Sequence, residues 1–164
     1  MTRVDVRKVD ENDRYEIMEL AREVHYEGAF AEIPFSETKF NGFFNNCIND
    51  PEHYLGAKVF LPDKILGFAY CMLGGYFIGE GASVVTVNTI CVNQGTRSSA
   101  LGGRVALNLI SGIDYWARQN EADVILFHVT SGQEIQGIDR FFKKLGMTHL
   151  GGNYGVKLDK SKGR

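Results

Sequence analysis

Ser83 to Ala117 reads SVVTVNTICVNQGTRSSALGGRVALNLISGIDYWA, and this stretch decides the fold. Its first ten residues, up to Val92, are rich in β-branched side chains, which suit a pleated and buried strand. A polar turn follows, and apolar residues then recur at every fourth position, as on one side of a helix. The stretch therefore predicts a buried strand, a turn and a long amphipathic helix. The apolar residues of that helix are Leu101, Val105, Leu109 and Ile113.

The turn before this helix has the chemistry of an anion site. The first amides of a helix have no partner within the helix, and the helix dipole makes that end positive. Either of two serines can cap the helix, and three residues near its start carry little or no side chain, so a phosphate can approach the backbone closely. An arginine adds a positive charge. These residues are Arg97, Ser98, Ser99, Ala100, Gly102 and Gly103.

The segment Arg97 to Gly102, Arg-Ser-Ser-Ala-Leu-Gly, resembles the acyl-CoA signature of the GNAT acetyltransferase superfamily. That signature reads Arg or Gln, two residues, Gly or Ala, one residue, Gly or Ala, and its position between a β-branched strand and an amphipathic helix strengthens the match. Ile90 to Val92 resembles the strand end that lies along pantetheine, and Arg140 to Met147 resembles the family's Phe-Tyr-x-x-Leu-Gly-Phe helix end. Residues 25–35, followed by an amphipathic helix and Asp50-Pro51, resemble a GNAT branch common in phages and prophages.

The predicted element order is one strand, two helices, three strands, a helix, a strand, a helix and two strands, which is a mixed α/β (α+β) layout. The resemblance covers nearly the whole chain. It implies the GNAT acyl-CoA N-acyltransferase fold, with a largely antiparallel mixed sheet of six to seven strands, four flanking helices, and a splay between the fourth and fifth strands. The last two strands are expected at Thr148–Leu150 and Tyr154–Leu158. Residues 1–158 are expected to form one domain, and 159–164 a basic tail.

At the amino end, Thr2–Val9 predicts an edge strand. Asn12 or Asp13 is expected to cap the first helix, with Asp13 and Glu16 at the spacing of a capping box. Edge strands at 148–158 can pair between subunits, so a homodimer is one expectation.

Composition excludes several functional classes. The net charge of −2 over 164 residues provides no basic field for nucleic acid. No apolar run approaches the roughly 20 residues of a membrane span, and the amino end is not a signal peptide, so a cytoplasmic location is expected. Three separate cysteines without a CxxC pair argue against disulfides and zinc, and His53 and His149 lack metal spacing.

The resemblance implies that the chain binds acetyl-CoA. Strand amides near Ile90–Val92 would hold pantetheine and the acyl carbonyl, and the turn would hold the diphosphate. Backbone N–H groups aimed at the developing oxyanion would supply part of the rate, and proximity most of the rest. The expected cofactor residues are Ile90, Cys91, Val92, Arg97, Ser98, Ser99, Ala100, Leu101, Gly102, Gly103, Thr130 and Phe142.

The usual proton-handling residues of the family are missing. The central strand has no carboxylate, and Phe142 stands where many members have a tyrosine. Glu80 and His25 are candidate bases, and Tyr154 can replace the missing phenol. Each has an ordinary alternative: a solvated loop carboxylate, a favourable charge at a helix end, and a half-buried strand tyrosine.

The segment 25–35 helps to wall the acceptor pocket in the family. Glu27 and Glu32 can hold a cationic amine, although lone surface charges rarely have a site role. The aromatic residues Tyr26 and Phe30 favour an apolar part of the acceptor, and Asn88 of the central strand completes the expected substrate-binding set.

Two function classes remain open at the level of sequence. The first is an acetyl-CoA-dependent N-acetyltransferase that transfers the acyl group directly to a primary amine of a small molecule or a protein. A covalent variant of this enzyme would use Cys91 activated by His128. The second is a catalytically degenerate GNAT-fold module that binds CoA or a protein partner without rapid turnover.

Overall fold

The structure, a computed structural model, describes residues 5–129 and 135–158. Five strands form one sheet, namely β1 Asp5–Lys8, β2 Tyr54–Leu61, β3 Lys64–Gly75, β4 Ser83–Val92 and β5 Val124–Phe127. They lie in the order β1-β2-β3-β4-β5, in which β1 to β4 pair antiparallel with one another and β5 pairs parallel with β4. The described residues also form five α-helices, namely α1 Arg14–Glu27, α2 Glu37–Asn49, α3 Gln94–Arg97, α4 Ala100–Gln119 and α5 Ile135–Lys144.

The first helix begins differently from the sequence prediction. Asp13 occupies the N-cap position of α1, as predicted, but its side chain makes no cap hydrogen bond to that helix. The capping box lies one turn earlier, around the 3₁₀ turn Glu11–Asp13: the Asp10 side chain accepts the Asp13 amide, and the Asp13 side chain accepts the Asp10 amide at 2.7 Å. Glu16 is not part of a box, because its carboxylate accepts a hydrogen bond from the Ile65 amide at 2.6 Å. The tertiary contact with β3 therefore outcompetes the local one.

Two apolar cores lie on opposite faces of the sheet. Helix α4 covers one face, and its residues Val105, Leu109 and Ile113 are fully buried, as their spacing predicted. Helices α1 and α2 cover the other face through residues such as Ile17 and Phe40. Ser36 caps α2 by accepting a hydrogen bond from the Lys39 amide at 3.3 Å, and the helix ends before Pro51.

The sheet has fewer strands than expected. The prediction of six to seven strands is wrong for the described residues, because the segments Thr148–Leu150 and Tyr154–Leu158 are not strands there. Gly151, Gly152 and Gly155 lie within or between these segments, and glycine weakens a strand by adding conformational entropy and removing packing surface. The prediction of four helices is also wrong, because the turn before α4 contains the single-turn helix α3.

The chain forms two compact units, one up to His128 and one from Val129 onward. The first contains the sheet, both cores and helices α1–α4. The second contains α5, which is followed by Gly146 at a φ of +81°, a conformation that suits the residue after a helix end. Among the described helices, none combines the length and apolar character that crossing a membrane requires.

Candidate functional site

A β-bulge interrupts the central strand at Asn88. Tyr70 of β3 pairs with Thr89 of β4, but the next residue, Cys71, pairs with Val87. Asn88 is therefore the extra residue of β4 and has no partner on β3. Its side chain is exposed. Bulges are over-represented next to active sites because they free one backbone unit and bend the strand.

The other neighbour of β4 also stops pairing at this point. The parallel register between β4 and β5 runs from Val84 with Val124 to Val87 with Phe127. The His128 amide then donates to the Val87 carbonyl at 3.3 Å, and no described residue of β5 pairs with residues 88–92. The fourth and fifth strands thus separate halfway along β4, as the splayed arrangement predicts. At the same point the ladder with β3 skips Asn88 and resumes at Thr89.

Asn93 organises the turn that follows β4. Its amide donates to the Leu66 carbonyl at 2.8 Å, which fixes the turn to β3. Its side-chain oxygen accepts the Gly95 amide at 3.1 Å, and its carbonyl accepts the Thr96 and Arg97 amides at 3.0 Å each. Within helix α3 the amides of Gly95, Thr96 and Arg97 are therefore already satisfied by Asn93.

The start of α4 has free amides and little side chain, as expected for an anion site. Ser99 is the N-cap, and its hydroxyl accepts the Gly102 amide at 3.3 Å and donates to the Thr96 carbonyl at 2.6 Å. No acceptor is described for the amides of Ala100 and Leu101, which are the first two of the helix.

The two glycines of this helix start have different surroundings. A Cβ at Gly102 would lie 2.5 Å from the Thr96 carbonyl oxygen and 2.6 Å from that of Arg97, so only glycine fits the contact between the turn and the helix. A Cβ at Gly103 would meet nothing within 4 Å. Gly103 is exposed, and the space in front of it is open.

Arg97 does not stand alone at the mouth of the turn. Its Nε donates to the Val92 carbonyl at 3.3 Å, and one of its terminal nitrogens donates to Glu27 Oε2 at 2.6 Å. The side chains are 42% and 22% exposed, respectively. Glu27 was predicted from the sequence to bind the acceptor, but in the structure its carboxylate pairs with Arg97. This carboxylate partly neutralises the positive charge that was expected to face a diphosphate.

The last turn of α1 also holds the segment that follows it. His25 Nε2 lies 2.6 Å from the Ile33 carbonyl and donates to it, so this nitrogen of the candidate base already has a partner. The Tyr26 hydroxyl accepts the Phe35 amide at 3.2 Å, and the ring is half exposed. The segment therefore folds back on the helix that precedes it.

The remaining candidates from the sequence lie on separate segments of the chain. Phe30 is half exposed and Glu32 is exposed on the α1–α2 segment. Glu80 is exposed on the loop before β4, and the strand between Ser83 and Asn88 spans about 17 Å. In the second unit, Phe142 is partly buried in α5 and Tyr154 is 98% exposed. Thr130 lies outside the described residues.

The covalent alternative with Cys91 is wrong. Cys91 is 3% exposed and packs in the core beneath α1 and α2, and burial raises the pKa of its thiol to about 12. A thiol with that pKa supplies almost no thiolate near neutral pH, so it is a poor nucleophile. His128 is exposed. No cluster of three metal-ligating side chains occurs among the residues that the structure covers.

Sequence reasoning missed two features of the site. The bulge could have been found in the sequence. The β4 residues that pack towards α4 are Val85, Val87, Ile90 and Val92, and the step of three between Val87 and Ile90 breaks the alternation of a regular strand. The ion pair of Arg97 with Glu27 has no signal in the local sequence, since the two residues are 70 positions apart.

Comparison of the chain with known proteins identifies its fold. No protein-family model matches the chain, and no curated protein sequence matches it. The solved structure of AAC(6')-Iy in complex with the bisubstrate analogue CoA-S-monomethyl-acetylneamine matches with a TM-score of 0.74 at 12% identity, over 96% of this chain and 99% of that one. Glucosamine-6-phosphate N-acetyltransferase from Arabidopsis thaliana matches with a TM-score of 0.70 at 13% identity, over 96% and 100% of the two chains.

A third solved structure agrees with these two. Ribosomal-protein-alanine N-acetyltransferase from Brucella melitensis biovar Abortus 2308 matches with a TM-score of 0.66 at 12% identity, over 96% of this chain and 100% of that one. All three are acetyltransferases by name, and their likeness to this chain is one of architecture at low identity. The chain therefore has the fold of the GNAT acetyltransferases, which the Arg97–Gly102 motif and the order of the elements predicted.

Proposed function

We propose that this protein transfers an acetyl group from acetyl-CoA directly to a primary amine of a small molecule or a protein. One observation carries the proposal: at Asn88 the ladder of β4 with β3 is interrupted by a bulge and the ladder with β5 ends, on the strand that leads into the Ser99-capped start of α4. From Thr89 to Val92 the strand is paired with β3 and open on its other edge, and the helix start beside it has free amides, so the two together offer hydrogen-bond donors to the pantetheine arm and the diphosphate of an acyl-CoA. The solved acetyltransferases with the same architecture support this reading.

The helix start would bind the diphosphate. The amides of Ala100 and Leu101 are available there, and the dipole of a twenty-residue helix favours negative charge at this end. The open space in front of Gly103 would admit the phosphates. From Asn88 to Val92 the strand spans about 13 Å, so its free edge can hold the pantetheine arm along that length.

The bulge would act on the reacting carbonyl. A backbone N–H near Asn88 that is released from both neighbouring strands can donate to the thioester oxygen, where negative charge develops during attack by the amine. Holding the amine and the thioester together supplies most of the remaining acceleration. The described part of β4 carries no carboxylate, so we propose that the amine loses its proton to water or to a residue of the acceptor wall.

The acceptor would meet the segment between α1 and α2. Phe30 and Tyr26 offer half-exposed aromatic surface, and Glu32 offers a carboxylate. These side chains favour an acceptor with a cationic amine and an apolar part. His25 keeps the segment in place through Ile33, so we propose a supporting role for it.

A substitution at Gly103 tests the cofactor site. Gly103→Glu places a carboxylate in front of the helix start, and glutamate is a better helix former than glycine, so the fold is retained. We expect acetyl-CoA binding, measured by calorimetry, to weaken at least about tenfold through repulsion and blocked access. The matched control is Gly42→Glu in α2, which is likewise exposed with nothing within 4 Å of its Cβ.

Equal acetyl-CoA affinity in the two variants and the unchanged protein would refute the site. Release of the CoA thiol with a panel of amines then tests turnover. The degenerate binding module is the second candidate, because β4 lacks a carboxylate and Arg97 is engaged by Glu27. Tight binding of acetyl-CoA with no thiol release across the panel would favour that candidate over the enzyme.

A further inference from the structure

The last turn of α1 contacts both halves of the proposed site. On one side, Glu27 is joined to Arg97 of the turn before α4 at 2.6 Å. On the other side, His25 and Tyr26 hold the segment 28–35 through the Ile33 carbonyl and the Phe35 amide. Three successive residues of one helical turn therefore connect the proposed diphosphate turn to the proposed acceptor wall.

The arginine completes this connection at its other end. Arg97 Nε donates to the carbonyl of Val92, which is the last residue of β4. One guanidinium thus joins the end of the central strand to the end of α1. A guanidinium has five N–H groups, and the 42% exposure of this side chain leaves part of it facing solvent, where an anion can also reach it.

We propose that Glu27 is a positioning residue that acts through Arg97, so that filling the diphosphate turn tightens the segment 28–35. The carboxylate holds the guanidinium against Val92, and the same helical turn holds the acceptor wall. Binding of an anion at the turn restricts Arg97, and the restriction passes through Glu27 to the backbone of α1. The inference rests on the proposed function for the identity of the ligand at the turn and for the role of the segment 28–35 as acceptor wall.

The size of this coupling is bounded by the exposure of the pair. The side chains of Glu27 and Arg97 are 22% and 42% exposed, so solvent screens their attraction. Breaking the ion pair should therefore change the equilibrium between the closed and open segment by only a small factor. We therefore expect effects of about two- to fivefold on the opening of the segment. Coupling of this kind is reciprocal, so an acceptor that orders the segment would favour cofactor binding by the same factor.

Amide hydrogen exchange, followed by NMR, tests the role of Glu27 without any cofactor. The reporters are the amides of Ala31, Ile33 and Phe35, which donate within the segment or to Tyr26. In Glu27→Gln and in Arg97→Gln we expect these amides to exchange about two- to fivefold faster than in the unchanged protein. The charge-reversed double variant, Glu27→Arg with Arg97→Glu, should recover most of the protection.

The control for this measurement removes an ion pair elsewhere. Arg118→Gln breaks the pair of Arg118 with Asp114 on the exposed surface of α4 and should leave the three reporters unchanged. Exchange at the reporters that is the same in the unchanged protein, Glu27→Gln and Arg97→Gln would overturn the proposal. So would equal acceleration in Arg118→Gln.

Addition of coenzyme A tests the coupling itself. At saturation we expect the reporters to slow in the unchanged protein by about two- to fivefold, and not to slow in Glu27→Gln even though the cofactor is bound there. Equal slowing in both proteins would show that the coupling between the turn and the segment 28–35 does not depend on Glu27. If coenzyme A does not bind the unchanged protein, the proposed function and the coupling both fail, while the cofactor-free rates still decide whether Glu27 positions the segment.

Discussion

At the scale of single residues, burial decides the chemistry of the three cysteines. Cys47, Cys71 and Cys91 are all buried. Burial raises the pKa of Cys47 and of Cys91 to about 12, and it raises the pKa of Cys71 as well. A neutral, enclosed thiol packs as a small apolar group and neither attacks nor oxidises readily.

We therefore expect no rapid reaction of the folded protein with Ellman's reagent at pH 8. Three thiols per chain should react once the protein is unfolded in guanidinium chloride, since the sequence has three cysteines. The absorbance of released thionitrobenzoate measures both. One fast equivalent in the folded state would contradict the burial described for these residues.

Lys58 anchors the amino-terminal turn to β2. Its ammonium lies 2.5 Å from Asp13 and 3.2 Å from Asp10, and the side chains of Lys58 and Asp13 are each 11% exposed. The hydrogen bond from Lys58 lowers the pKa of Asp10 below its ordinary value of 3.8. A lowered pKa means that this contribution to stability is present above pH 3.8 and is lost as the pH falls through the folded-state pKa.

Replacing Lys58 with methionine should leave the Asp13 carboxylate nearly buried without its cation. We expect Lys58→Met to lower the free energy of unfolding by about 2–4 kcal/mol at pH 7. The loss should be smaller at pH 3 than at pH 7, because protonation of Asp10 increases as the pH falls towards its lowered folded-state pKa. Urea denaturation at both pH values measures this, with the exposed Lys64→Met as control, expected within about 0.5 kcal/mol of the unchanged protein. A pH-independent loss would contradict the electrostatic cause.

At the scale of elements, local chemistry predicted most boundaries. Ser36 and Ser99 cap their helices, Pro51 follows the end of α2, and β4 has the predicted bounds Ser83–Val92. Each of these features depends on a few residues that are neighbours in the sequence, so the sequence alone is enough to predict it. The capping box at the start of α1 was mispredicted because Glu16 bonds to the Ile65 amide, a partner that no local pattern reveals.

The proposed site was predictable only in part, for the same reason. The turn Arg97–Gly102 has a local sequence signature, and the structure contains the turn. In it, Gly102 packs so closely against backbone carbonyls that no side chain would fit. The partner of Arg97 comes from another element, and the separation of β4 from β5 depends on sheet register. The roles predicted for Glu80, His25 and Tyr154 depend on a bound acceptor and stay predictions.

At the scale of the whole molecule, the sheet separates two cores that do not share side chains. Ile17 belongs to the core beneath α1 and α2, and Ile113 belongs to the core beneath α4. Both are 0% exposed. The two cores are nevertheless built on the same strands, so they should unfold in one transition.

We expect Ile17→Val and Ile113→Val each to lower the free energy of unfolding by about 0.5–1.5 kcal/mol through loss of one buried methylene. Because the two sites share no contacts, the double variant should equal the sum of the single variants to within about 0.5 kcal/mol. Urea denaturation monitored by Trp116 fluorescence and by circular dichroism measures the sums and tests whether the two transitions coincide. A large deviation from additivity would mean that the sheet transmits repacking from one core to the other.

The insertion in β4 bears on how this chain could change over generations. Without Asn88 the strand would alternate regularly, and Val87 and Ile90 would still point to the side of α4 while Cys91 kept its place on the opposite side. Loss of a single codon would therefore preserve both interiors and complete the ladder with β3. Folding alone gives no reason to keep the additional residue, and the role proposed for Asn88 at the reacting carbonyl would supply one.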